Sequence, residues 1–259
     1  MSSIHRLLEI MAQLRDPEHG CPWDQQQTYQ SIVPHTIEET YEVADAIERE
    51  DYAALCDELG DLLFQIVFYA QLAKEQQRFE FDDIVNAISD KLERRHPHVF
   101  ADAKFDSAEQ QTAHWEELKK RERAQQQNAQ SELDGIARAL PALSLARKLQ
   151  SRAARVGFDW PEVEGVFDKL AEEIAELKQA WSQPSRRADE LGDLIFTCVN
   201  LTRHAGEDPE EVLRQANRKF ESRFRAMETQ ARHTSTSLKE LTVQQLEALW
   251  QRAKQELGD

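Results

Sequence analysis

The sequence predicts an all-α protein built from two tandem, homologous helical domains, and three observations carry that prediction. Gly and Pro are scarce, eight of each in 259 residues, and long charged amphipathic stretches stand where alternating β-branched runs would mark strands. The hexapeptide DELGDL occurs twice, at Asp57–Leu62 and Asp189–Leu194, 132 residues apart. Other features recur in the same order at nearly the same offset, the signature of an internal repeat.

Along the chain, MSSIHRLLEIMAQLRD at the N-terminus reads as an amphipathic helix and carries no signal-peptide pattern. EETYE (Glu38–Glu42) recurs as EEIAE (Glu172–Glu176) at an offset of 134, and KLERR (Lys91–Arg95) recurs as KFESR (Lys219–Arg223) at 128. Near the end of each half a capping-box pattern, Ser107 with Gln110 or Thr242 with Gln245, precedes a helix bearing Trp115 and Lys119 or Trp250 and Lys254. The Gln-rich stretch RAQQQNAQSELDG (Arg123–Gly135) is the one low-complexity segment. It divides the chain into an N-terminal domain at 1–122, a linker at 123–135 and a C-terminal domain at 136–259. Each domain is expected to hold about four main helices.

Composition narrows the function. A hydrophobic content of 40% supports a buried core. No apolar run approaches the roughly 18 residues that span a bilayer, so no membrane partner is expected. Cys21, Cys56 and Cys198 form no CxxC pair and read as reduced thiols, which predicts a cytoplasmic address. The formal charge of −16 argues against a general nucleic-acid binder, which presents a basic face to phosphates. An anionic substrate would need local Lys and Arg residues, or divalent cations held by carboxylates.

Val163, Phe167, Leu170, Ile174, Leu177 and Trp181 follow helical spacing and predict the buried face of one helix. Glu173 lies beside that stripe, with Glu172 and Glu176 further round. Glu173 and Glu176 are neighbours at i, i+3, and Glu190 and Asp193 repeat that spacing on the next helix. The intervening SQPSR, with Pro184, breaks the helix and folds the two segments into a hairpin. Facing residues of an antiparallel pair have numbers of constant sum. That sum is 366 for Glu176 with Glu190 and for Glu173 with Asp193, and 100 for Glu42 with Glu58 and for Glu39 with Asp61. Four carboxylates at matching levels repel one another unless protons or metal neutralise them. Hard oxygen ligands suit Mg²⁺, with Mn²⁺ as a substitute. A single EExxE is more often a solvated helix face; the mirrored register and its repetition favour the metal. Gly60 and Gly192 sit inside these helices at a cost of about 1 kcal/mol relative to Ala. Close helix packing and room for phosphate beside a metal explain them equally well.

EExxE followed by ExxD, with a downstream KFxxR and a late Trp, resembles the MazG nucleoside triphosphate pyrophosphohydrolases. CPWD (Cys21–Asp24), RRHPHVF (Arg94–Phe100) and VGFDW (Val156–Trp160) resemble its two-domain bacterial form. The resemblance implies an all-α homodimer that uses Mg²⁺ to cleave NTPs and dNTPs between the α and β phosphates, giving NMP and pyrophosphate. Carried over by position, Glu173, Glu176, Glu190 and Asp193 match the metal ligands, and Lys169, Lys219, Arg223 and Trp250 match nucleotide-contacting positions. Glu172 is a candidate general base, or an outer support for the ligands. Lys219 and Arg223, at i, i+4, suit phosphate oxygens, and Trp250 suits stacking on a base. The plainer readings are a solvated face for Lys219 and Arg223, a core anchor for Trp250, and a loop-shaping role for His96 and His98.

The halves differ around the acids. Lys169 corresponds to His35, Asn200 to Phe68 and Asn217 to Ser89. Asn200 and Asn217 therefore join the substrate-binding candidates, and hydrolysis is assigned to the C-terminal half. The first half becomes a dimerisation or regulatory module, or a weaker site. A di-iron protein needs two Glu-x-x-His motifs, and only Glu93 with His96 fits. An acidic helical adaptor for a protein partner accounts for the charge but not for two hairpins of identical acid register.

Overall fold

The computed structural model describes residues 3–101, 107, 110, 111, 118, 131–233 and 236–258, and every regular element among them is helical. The chain divides into two compact units, Met1–Lys120 and Arg121–Asp259. The helix expected to bear Trp115 and Lys119 and most of the Gln-rich join lie outside the described residues.

The first unit contains α1 (Ser3–Leu14), short α2 (Pro22–Gln26), α3 (Tyr29–Glu48), α4 (Tyr52–Glu75), α5 (Phe81–Arg95) and short α6 (Pro97–Phe100). Thr28 and Ser31 cap α3 reciprocally, each side chain accepting from the other's backbone N–H. Asp51 starts α4 by accepting from the Ala54 N–H at 3.0 Å. The short turn between them folds α3 and α4 into a hairpin, with Glu50 in the left-handed region at φ 55°. On α4 pack α1 and α5. Met11, Ile32, Val67, Phe68 and Leu72 form the buried core they enclose.

The second unit contains α7 (Ala142–Ala154), α8 (Val163–Ala180), α9 (Pro184–His204), α10 (Pro209–His233), a 3-10 turn (Leu238–Glu240) and α11 (Val243–Leu257). The α8–α9 hairpin repeats α3–α4. Pro184 opens α9, where its missing N–H costs no helical hydrogen bond. α7 packs against α9 and α10, and α10 pairs with α11. The predicted Thr242–Gln245 capping box opens α11, and in the first unit the Gln110 N–H donates to Ser107 Oγ at 3.3 Å.

The buried face of α8 is not the one its apolar spacing predicts. Val166, Glu173 and Ala180 are its buried residues, whereas Phe167, Ile174 and Trp181 are 55%, 39% and 59% exposed. Periodicity reveals an apolar stripe but not what covers it, and among the described residues of this unit nothing covers these three side chains. Matching uncovered residues run along the second helix of each hairpin: Leu191 and Ile195 on α9, Leu59 and Leu63 on α4. Among the described residues no helix is long and apolar enough to cross a membrane. The three cysteines are free thiols.

Candidate active site

The α8–α9 hairpin brings one carboxylate oxygen from each of Glu173, Glu190 and Asp193 within 4.8 Å of one another, and α3–α4 does the same with Glu39, Glu58 and Asp61. Glu176 and Glu42 stand one turn further along and are outside these trios, so three of the four expected ligands converge in each half.

Glu173 is buried, only 3% exposed. Lys169, one turn earlier, places its Nζ 2.7 Å from Glu172 Oε1 and 2.8 Å from Glu173 Oε1. Hydrogen bonds to Glu172 and then Glu173 hold the Lys169 pKa well above its ordinary value, so the ammonium stays charged. The other Glu173 oxygen, Oε2, is buried with no hydrogen-bond partner among the described residues. Leaving a buried carboxylate oxygen uncompensated is costly. Three converging carboxylates, one with an unsatisfied oxygen, fit a hard divalent cation such as Mg²⁺ or Mn²⁺.

Among the described residues of the first unit no lysine is paired with its trio. His35 Nδ1 lies 3.8 Å from Glu38 Oε2, the counterpart of the Lys169–Glu172 pair. Burial, followed by repulsion from Asp61 and Glu42, pushes the Glu39 pKa up; burial, followed by Glu42 and Asp61, does the same to Glu58.

The remaining candidates fall into two groups. On α10, Asn217 and Lys219 are exposed, while Arg223 is buried with its guanidinium 5.8 Å from the Trp250 ring centroid. Trp250 also meets Phe220 at 5.4 Å and packs on the α10–α11 core. On α9, Asn200 is buried and its Oδ1 accepts from Arg203 Nε and Nη2 at 3.0 and 2.7 Å. Gly60 and Gly192 face open space, since a Cβ on either would meet nothing within 4 Å. Close packing inside the chain is therefore not their reason. His96 Nδ1 bonds the Leu92 carbonyl at 2.8 Å at the end of α5, consistent with a loop-shaping role.

The sequence reading missed a cavity of about 340 Å³ between α7 and α9, whose lining includes Gln150, Phe158, Trp160, Phe196, Asn200 and Arg203. Two signals pointed toward it: the VGFDW motif and the exchange of Phe68 for Asn200 between halves.

Paired acid-bearing hairpins in a duplicated helical chain define the all-α nucleotide pyrophosphohydrolase class. A MazG nucleotide pyrophosphohydrolase domain model matches residues 27–100, and a phosphoribosyl-ATP pyrophosphohydrolase model matches residues 147–220. The chain is 51% identical over 260 residues to a nucleoside triphosphate pyrophosphohydrolase of Escherichia coli (strain K12), covering 99% of this chain and 98% of that protein. It is 43% identical over 248 residues to the nucleoside triphosphate pyrophosphohydrolase/pyrophosphatase MazG of Thermotoga maritima, covering 96% and 94%. A nucleoside triphosphate pyrophosphohydrolase of Mycobacterium tuberculosis is 36% identical over 154 residues, 59% of this chain and 46% of that one. The chain belongs to the two-domain MazG family.

Proposed function

We propose that this nucleoside triphosphate pyrophosphohydrolase cleaves NTPs and dNTPs at the α–β phosphate bond to NMP and pyrophosphate, in the second unit and with Mg²⁺. The observation that carries the assignment is the Glu173–Glu190–Asp193 trio with its buried, unpartnered Glu173 oxygen. Glu173, Glu190 and Asp193 would hold the ion, with Glu176 completing the set as substrate enters. When bound, Mg²⁺ supplies Lewis acidity that offsets polyphosphate charge and makes water a better nucleophile.

The chain's own residues do the rest. Lys169 fixes the Glu173 carboxylate and balances the charge of the acids around it. Glu172, bonded to the same ammonium but more exposed, would take the proton of the attacking water or support the ligand carboxylates from outside. Lys219 and Arg223 supply charge-assisted donors to phosphate oxygens, with Trp250 bracing Arg223. Asn217, exposed on the same helix, serves the sugar or phosphates.

A homodimer accounts for the uncovered stripes of Phe167, Ile174 and Trp181 on α8 and of Leu191 and Ile195 on α9. A second copy laid on these faces would bury them. Light scattering should then give twice the chain mass. Free thiols and a nucleotide substrate support a cytoplasmic address, where the enzyme would act on the nucleotide pool.

The test is incubation of purified protein with a panel of NTPs and dNTPs plus Mg²⁺ or Mn²⁺, with products resolved by chromatography. NMP and pyrophosphate are expected. NDP with phosphate, or no turnover with either ion, overturns the proposal.

A further inference from the structure

We propose that the cavity between α7 and α9 is a binding site in its own right for a small, uncharged aromatic carboxamide, apart from the triphosphate site and in place of the substrate contact that the sequence assigns to Asn200. The cavity is about 340 Å³, and its lining includes neither the acids nor Lys169, Lys219, Arg223 or Trp250. Apolar side chains form most of the wall, with a few polar groups set among them, the make-up of a small-molecule site. Occupancy is read by binding rather than turnover, so it stands or falls apart from the triphosphate reading.

Two buried amides give the cavity a hydrogen-bonding pattern whose sense is fixed. Gln150 is 8% exposed, and its Nε2 donates to the Phe196 carbonyl at 2.8 Å. A carbonyl can only accept, so the orientation of the amide is settled and its Oε1 is the free end. That Oε1 is buried with no partner among the described residues. Asn200 Oδ1 accepts from Arg203 Nε and Nη2, and a guanidinium can only donate, so the Asn200 NH₂ is the group left for a ligand. The pattern asks for a ligand that donates to one amide and accepts from the other. A carboxamide, with an N–H beside a C=O, does both.

Charge selects against an acid of the same shape. Asp159 and Arg203 are the charged residues on the wall, and they pair with each other. A carboxylate would bring an uncompensated charge into an apolar wall and set an acceptor against Gln150 Oε1.

Aromatic rings supply the faces for a flat body. Phe158 and Trp160 come from the VGFDW loop and Phe196 from α9. Phe158 is 81% exposed, an apolar ring at the rim, and Gly157 before it takes φ 83°, which a side chain would disfavour. The Trp160 ring lies against Gly165, where a Cβ would come within 2.4 Å of its Cδ1.

The place of the cavity suits an effector. Glu190, Asp193, Thr197 and Asn200 follow i, i+3, i+7, i+10 along one stripe of α9. The first two belong to the acid trio and the last two line the cavity, about 10 Å of helix rise further on. Leu133, at the end of the Gln-rich join, also lines it. Arg152 Nη1 on α7 holds that end by donating to the Glu132 and Asp134 carbonyls at 2.8 and 3.3 Å. An occupant would touch the end of the join and the acid-bearing helix together. In the first unit the counterpart of Asn200 is Phe68, fully buried in the core.

Calorimetric titration of the full chain with benzamide and with nicotinamide tests the site, with benzoate as the charged analogue that lacks an N–H. Each titration is repeated on protein saturated with a non-hydrolysable ATP analogue and Mg²⁺, and circular dichroism checks the folding of variants. The carboxamides should bind with dissociation constants of about 1 mM or tighter, changed less than about twofold by the analogue. Benzoate should bind about tenfold more weakly or worse, and Gln150→Leu should weaken the carboxamides about fivefold or more. Asn200→Phe, which fills the cavity as Phe68 does, should abolish their binding. No carboxamide binding to wild type, equal binding of benzoate, or unchanged affinity in folded Gln150→Leu overturns the site. Displacement of the carboxamides by the ATP analogue overturns it too, since the cavity would then belong to the substrate. Failure of the analogue itself to bind, with the carboxamides bound, counts against the triphosphate reading alone.

Discussion

Residues 68 and 200 occupy the same place in two copies of one helical hairpin, and the two units differ most there. In the first unit Phe68 is sealed among Met11, Ile32, Val67 and Leu72, and the Arg15 guanidinium lies 5.4 Å from its ring. In the second unit Asn200, Gln150 and Arg203 border a cavity. The acids show the same divergence. Both trios converge, but Lys169 braces the second, whereas the first keeps two carboxylates whose pKa values are pushed up by burial and mutual repulsion. Duplication preserved the hairpin register; one copy filled its interior with a ring while the other left room and polar groups.

The largest test of that contrast is Glu173→Ala against Glu39→Ala. Removing the buried Glu173 carboxylate should cost on the order of a thousandfold in kcat/KM, while the Glu39 variant keeps most of the activity. The reverse ranking would move the catalytic site to the first unit. Next is Lys169→Met, which leaves the trio but removes the ammonium holding Glu173. A loss of roughly 10- to 100-fold is expected, expressed largely as weaker Mg²⁺ dependence. Equal activity at all Mg²⁺ concentrations would show that Lys169 is only a surface partner of Glu172.

Much of this contrast was legible in the sequence because spacing is geometry. The constant sums that pair Glu173 with Asp193 and Glu39 with Asp61 describe a helical hairpin, and each hairpin does gather those acids. Two things were not legible. The apolar stripe of Phe167, Ile174 and Trp181 has the spacing of a core face, but periodicity carries no information about which neighbour covers it. The cavity was hidden because it forms only where α9, with Phe196–Arg203, folds back against Gln150 on α7 and the loop carrying Phe158–Trp160. The missing volume of a phenyl ring at Asn200 becomes visible only when the folded copies are laid side by side.

Smaller effects separate the two units by pH. Glu75 accepts from Arg15 Nε and Nη2 at 2.8 and 2.7 Å, and that hydrogen bonding holds its pKa below the ordinary value. A depressed carboxylate stabilises the folded state above its unfolded pKa and loses that contribution as pH falls through the folded pKa. Glu75→Gln should therefore lower the melting temperature by about 2 to 4 °C at neutral pH, with the gap closing below a pH of about 4. In the second unit burial pushes Asp159 up, but hydrogen bonds from Arg203 outweigh it and its pKa is lowered. Asp159→Asn, which removes the Arg203 pairing, should show the same pH trend in stability. A Glu75→Gln deficit that persists in acid would mean that lost packing, not charge, is responsible.

The finest distinction lies at Gly60 and Gly192. A glycine inside a helix costs about 0.5 to 1 kcal/mol relative to Ala, and neither position has a neighbour within 4 Å of an added Cβ. Within the chain alone, Gly60→Ala and Gly192→Ala should each raise the melting temperature by about 1 to 4 °C. The trios make the two positions unequal. Gly192 sits between Glu190 and Asp193, on the helix where the proposed site would receive the triphosphate, so its Ala variant should gain stability and lose affinity, seen as a higher KM. Gly60→Ala should gain stability with KM unchanged. If both variants instead melt earlier and dissociate on light scattering, the open space is filled by a second copy of the chain, and the glycines are retained for helix contact across that interface. A rise in KM at Gly192 alone would assign that space to phosphate and confine catalysis to the second unit.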